Sequence, residues 1–200
     1  MAQVLPYRKA GAVIAAACTC WFAGISMVGN VHAVKDAATR LDMLERDRRF
    51  WVLGQILAAA GTAAAPAGFA RFAAQLRSAP ASDAHAGKDL AALSAAAMLA
   101  GSPLFVAALA SRAADIRRFA YREGPGWPFL SYAGLQTAGV GAAGAALLLT
   151  PLKGPAAVAS VASVPLFTAI LARYRDIPPF VFYLLELAVG VKLMRYREAG

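Results

Sequence analysis

One acidic residue, Glu186, stands inside a mostly apolar run, residues 180–194. An ionised carboxylate at the centre of a bilayer costs at least ~2.5 kcal/mol, so this side chain is expected to face protein or water rather than lipid. Tyr183 lies one turn before it and Gly190 one turn after, and helical periodicity puts all three on one face. Such a group could hold a proton or a small cation; the plainer expectation is a structural acid, protonated or Arg-paired, inside a bundle. Three prolines, Pro66, Pro103 and Pro165, fall within other apolar runs as candidate helix breaks. Each removes a backbone donor and frees a carbonyl. Transporters use such carbonyls for ions, yet proline is also common in membrane helices without that role. Gln55, Asn30 and Gln136 are expected to bond across helices.

Other chemistry is sparse. His32 and His85 are the only histidines, one at the end of an apolar run and one in a polar stretch, too few for a His-rich metal site or paired haem ligation. Cys18 and Cys20 are one residue apart, on different faces of a helix, and read as apolar filler. No GxSxG, HExxH, P-loop or GxGxxG stands in the context those motifs require. Catalysis is therefore the weaker class, and no catalytic residue, metal ligand or cofactor site is expected.

The elements that must position Glu186 are six apolar runs: residues 10–31, 50–69, 90–110, 129–149, 156–172 and 180–194. A spanning helix needs roughly 17–25 mostly apolar residues, so the expected fold is all-α: a polytopic transmembrane helical bundle of about six spans. The chain is 60% hydrophobic and 16% charged, against about 25% charged in ordinary soluble domains, and the charges fall between the runs. Alanine fills 50 of 200 positions. It attracts a helix to lipid only weakly, so these Ala/Gly-rich helices need neighbours, and small residues let backbones approach. Lanes at four-residue spacing are Gly11, Ala15, Thr19 and Ala23; Gly54, Ala58 and Thr62; and Ala133, Thr137, Gly141 and Ala145.

Three parts are expected: two helices with a charged helical connection (1–77), a flexible linker (78–89) and a four-helix part with tight hairpins (90–200). In the connection, Asp36 with Arg40, Asp42 with Arg46 and Glu45 with Arg49 stand at i,i+4, the spacing of helix ion pairs. Val34, Ala37, Leu41 and Leu44 form an apolar stripe there, after a bend at Gly29-Asn30. The third run continues outside the membrane as an Arg-rich helix over 111–123, until Gly124-Pro125-Gly126 turns the chain between Tyr121 and Trp127.

The net charge of +9 sits beside the ends of the runs, where membrane proteins keep it. Nucleic acid is not an expected partner. Membrane lipids are, anionic ones included, at roughly 1 kcal/mol per nearby basic residue, with Arg46, Arg48, Arg49, Arg117 and Arg118 as candidate docking or lipid contacts. Nine Lys and Arg fall on the side of the termini and eleven on the other, a difference too small to orient the chain. Arg8-Lys9 before an apolar run reads as a signal anchor rather than a cleaved signal peptide. An integral membrane location follows, in a plasma or organellar membrane.

The runs Gly29-Asn30, Arg48-Arg49-Phe50, Leu53-Gly54-Gln55 and Asp176-Ile177-Pro178 resemble peroxisomal membrane-elongation proteins. Here an apolar span replaces the amphipathic region expected upstream, and the glycine-rich C-terminal signature is absent, so no function is carried over. The expected function is a non-catalytic integral membrane subunit packing within a larger membrane protein complex, in a scaffold or assembly role; the protein partners to be told apart are other membrane protein subunits and further copies of this chain. The alternative is a small-solute or proton-coupled transporter or channel using Glu186. A weaker third possibility is a lipid-modifying enzyme acting at the Arg-rich loops.

Overall fold

The bundle forms because most long helices pack on the next long helix of the chain, and the last packs back on the first. The computed structural model describes residues 6–27, 29–78 and 85–197. The helices are α1 (Arg8–Ser26), α2 (Ala37–Arg46), α3 (Arg48–Ser78), α4 (His85–Ala114), α5 (Ile116–Ala120), α6 (Trp127–Leu148), α7 (Pro155–Tyr174) and α8 (Phe180–Arg195). The described residues contain no strand. α1 packs between α3 and α8, α4 between α3 and α6, and α7 lies on α6; α8 also touches α6 and α7. Five helices, α1, α3, α4, α6 and α8, thus surround one interior.

Four helices, α1, α3, α4 and α7, are long and apolar enough to cross a membrane, which points to a membrane location. Of the six expected spans, these four meet the length and composition of a crossing helix. α8 has 16 residues, about 24 Å of helix, against a hydrocarbon core of about 30 Å. α6 has 22 residues, but Ser131, Gln136, Thr137 and four glycines dilute its apolar character. It is also among the most enclosed helices, with 12 of its 22 residues buried.

α1 and α3 meet through a seven-residue repeat of small residues. A Cβ on Gly24 would lie 2.5 Å from the Gly54 carbonyl oxygen, one on Gly61 2.5 Å from that of Ala17, and one on Gly68 3.2 Å from that of Ala10. Small-residue contacts of this kind replace the hydrophobic drive that lipid removes. The lane expected on α1 is corrected: of Gly11, Ala15, Thr19 and Ala23 only Gly11 is buried, and it faces Gly190 of α8. Ala10, Ala17 and Gly24 form the face toward α3. On α3 the lane Gly54, Ala58 and Thr62 is buried, as are Ala133, Thr137 and Gly141 on α6.

The prolines expected as breaks leave their helices continuous: α3 runs through Pro66, α4 through Pro103 and α7 through Pro165. Of the expected linker, residues 79–84 lie outside the described residues, and α4 begins at His85.

One end of the bundle carries a small cap. The chain bends after α1 at Gly29, whose φ is +61°, a conformation glycine adopts at little cost. The Asp36 carboxylate then caps α2 by accepting from the Thr39 backbone N–H at 2.7 Å. Asp115 breaks α4 from α5 in the same way, accepting from the Arg118 N–H at 2.9 Å. Leu44 of the predicted stripe packs with Val31, Trp51 and Ala120 in a second apolar cluster. The i,i+4 ion pairs are corrected: among the described residues the ion pair formed is Arg46 with its neighbour Asp47, exposed, at 3.5 Å. Arg40 turns inward instead, 3% exposed, and donates to the carbonyls of Val34, Lys35 and Ala120. It satisfies carbonyls that water would otherwise have to reach.

Candidate functional site

The interior of the bundle holds two adjacent groups of hydrogen-bonded polar side chains, contributed between them by all five surrounding helices. The first originates at Pro66. Without an N–H, this residue cannot bond the Thr62 carbonyl four residues back, and the Ser102 hydroxyl of α4 donates to that carbonyl at 2.8 Å. The Thr62 hydroxyl donates to the Ala58 carbonyl at 2.8 Å, which leaves its oxygen to accept from the Tyr183 hydroxyl at 2.6 Å. Tyr183 in turn accepts from the Tyr132 hydroxyl at 3.2 Å. A donor relay therefore runs Tyr132 to Tyr183 to Thr62 to the α3 backbone.

One turn further along α8, Glu186 is fully buried. Gln136 of α6 donates its side-chain amide to one carboxyl oxygen, and the Cys18 thiol of α1 lies 4.0 Å from the other. Among the described residues no Lys, Arg or His pairs with it. Aromatic rings close the space around these groups. Trp21 stacks on Tyr183 with centroids 4.2 Å apart and 15° between planes, and Phe105 stacks on Tyr132 at 4.3 Å and 16°. Phe182 meets the edge of Tyr132 at 6.1 Å. Each stacked pair adds about 0.5–1.5 kcal/mol beyond the area it buries.

Glu186, Tyr183 and Pro66 are thus brought together, whereas Pro103 and Pro165 are exposed on the outside of the bundle. Gln136 bonds across helices as expected; Asn30 is exposed, and buried Gln55 has no partner on either side-chain atom. Arg46, Arg48 and Arg49 are exposed at the capped end; Arg117 lies over the Tyr121 ring, and Arg118 lines a cleft. Cys18, Tyr132 and Ser102 were missed in the sequence. Signals for two of them existed: Cys18 and Trp21 lie one turn apart on α1, and Ser102 precedes Pro103 within an apolar run.

No family model, curated protein or solved structure matches this chain. Its chemistry is read from the geometry alone. The relay consists of hydroxyls, the group beside it of an amide, a thiol and one carboxyl group, and among the described residues no three His, Cys, Asp or Glu converge as metal ligands.

The Pro66–Ser102 arrangement is directly testable. Ser102→Ala leaves the Thr62 carbonyl without a donor and should cost about 1–3 kcal/mol. In a Pro66→Ala background the restored backbone N–H takes that carbonyl, so the same Ser102→Ala change should cost about 1 kcal/mol less. A double-mutant cycle on thermal unfolding in detergent measures this coupling, and additive effects would show that Ser102 does not serve the proline gap.

Proposed function

We propose that this chain is a non-catalytic integral membrane subunit that packs within a larger membrane protein complex. The observation that carries the reading is the closed interior: Trp21, Tyr132, Tyr183 and Phe105 are stacked and at most 1% exposed, and Tyr132, Tyr183 and Thr62 bond one another among them. That pattern suits a bundle specified by its core rather than one built around a solute path. α7 adds support, since only Ala157, Ser160, Ser163 and Phe167 of its 20 residues are buried. Its outer face carries Ala159, Ala162, Ala169 and Ala172, which allow close approach of another helix. Short α8 and Gly-rich α6 are poorly suited to face lipid alone, and in this reading all six apolar runs cross the membrane only as parts of a packed assembly.

A second reading, a small-solute or proton-coupled transporter or channel, is favoured by Glu186 alone, a buried carboxyl group with no cationic partner among the described residues. Glu186→Gln separates the two. An amide oxygen can still accept from Gln136, so the subunit reading predicts unchanged particle size and no loss of proton or solute flux in reconstituted vesicles. Flux that disappears while assembly persists would transfer the weight to the transporter.

A further inference from the structure

At the capped end, a cleft of about 660 Å³ opens between the end of α4, α5, the start of α6 and the α7–α8 connection. Four arginines line it: Arg112, Arg118, Arg122 and Arg175. Asp115, Glu123 and Asp176 share the lining, yet among the described residues no carboxylate lies within ion-pair distance of these guanidinium groups. Asp115 is committed to capping α5, and the guanidinium of Arg118 packs over Gly124, where a Cβ would lie 3.2 Å from its Nε. The floor is apolar, formed by Ala107, Ala108 and Phe129.

The backbone fixes where two of these arginines stand. Among the described residues, two other than glycine have positive φ, Arg122 at 54° and Arg175 at 51°, and both line this cleft. Both close the end of a helix, Arg175 donating its N–H to the Leu171 carbonyl and Arg122 to that of Phe119, a common left-handed ending that here turns two arginines into one cleft. Depth is marked by exposed aromatics beside the cleft: Trp127 is 60%, Tyr121 44% and Tyr174 70% exposed. Aromatic rings with one polar end belong at the membrane–water interface.

We propose that this cleft binds the phosphate headgroup of an anionic phospholipid. Guanidinium forks grip phosphate oxygens in pairs, and the Ala107, Ala108 and Phe129 floor receives the glycerol and first acyl carbons. A free phosphate ion shares the first chemistry but has no use for the floor or for interface depth. The site does not depend on the chain having protein partners.

The test uses the full chain, delipidated in mild detergent, and titration calorimetry with dihexanoyl phosphatidic acid, dihexanoyl phosphatidylcholine and inorganic phosphate. Phosphatidic acid should bind at least tenfold more tightly than either of the others. The double change Arg118→Gln with Arg122→Gln should weaken it at least tenfold. Arg122→Gly relieves the positive φ, so it should weaken binding while the melting temperature holds or rises. Equal binding of the two lipids, no binding of phosphatidic acid, or unchanged binding in the double variant overturns the proposal. Inorganic phosphate binding as tightly as the lipid overturns the lipid assignment in favour of a soluble ligand. Loss of binding in Arg122→Gly together with a lowered melting temperature reduces Arg122 to a structural role and also counts against the clamp.

Discussion

Gly61→Ala should drive α1 off α3, although it adds a single methyl group. The new Cβ would stand 2.5 Å from the Ala17 carbonyl oxygen and 2.8 Å from the Trp21 backbone nitrogen. Both are backbone atoms of a helix, so no rotamer change can relieve the clash. Overpacking of this kind costs about 1–3 kcal/mol and more when a helix must move. Trp21 rides on the displaced segment, so its stack on Tyr183 should be lost as well. Gly134→Ala is the internal control. It sits on exposed α6 surface with nothing within 4 Å of its Cβ, and alanine is favoured over glycine in a helix by about 1 kcal/mol. One chemical change should therefore lower the melting temperature at position 61 and raise it slightly at 134. Equal effects at the two positions would refute the close α1–α3 contact.

Tyr183→Ala should be the most damaging substitution in the interior. The ring is 1% exposed, and its removal leaves a cavity beside Trp21, for which large aromatic truncations cost about 3–5 kcal/mol. It also strands the Tyr132 hydroxyl, which donates to Tyr183, while Thr62 keeps its bond to the Ala58 carbonyl. For a chain of this size each kcal/mol shifts the melting temperature by roughly 2–4 °C, so a drop of about 10 °C or more is expected. Tyr183→Phe keeps the stack and loses only the hydroxyl, and should cost about 1–2 kcal/mol. Trp fluorescence during detergent-phase unfolding follows both. A phenylalanine variant as unstable as the alanine one would mean that the hydrogen bonds, not the stack, hold the interior.

Much of this arrangement could be read from residue order, for identifiable reasons. The helices and their hairpins follow from long apolar runs separated by Gly124-Pro125-Gly126, residues 150–155 and residues 173–179, because such connections cannot continue a helix. That Tyr183, Glu186 and Gly190 share a buried face follows from helical periodicity. Which side of α1 turns inward did not follow. Two rows of small residues compete there, and the row used, Ala10, Ala17 and Gly24, is interrupted by Ile14 and Trp21, which disguise it. The partner row Gly54, Gly61 and Gly68 was visible in the sequence at seven-residue spacing, a repeat that keeps one helix face turned to a partner.

Charge was the least legible feature. Asp36 and Arg40 have the spacing of a helix ion pair, but Asp36 is taken by the Thr39 N–H and Arg40 by three carbonyls. Backbone groups withdrawn from water compete more strongly for a donor than an exposed carboxylate does. The arginine cleft draws on residues 107–129 and 175–176, segments far apart in the chain that only the antiparallel order of α4, α6 and α7 brings together.

The most direct test of the subunit reading is the mass of the particle after mild-detergent purification from its native source, with co-purifying chains identified by mass spectrometry. The account predicts foreign membrane subunits in fixed stoichiometry with this chain. A lone 20.7 kDa polypeptide, or an oligomer of that polypeptide only, would contradict it.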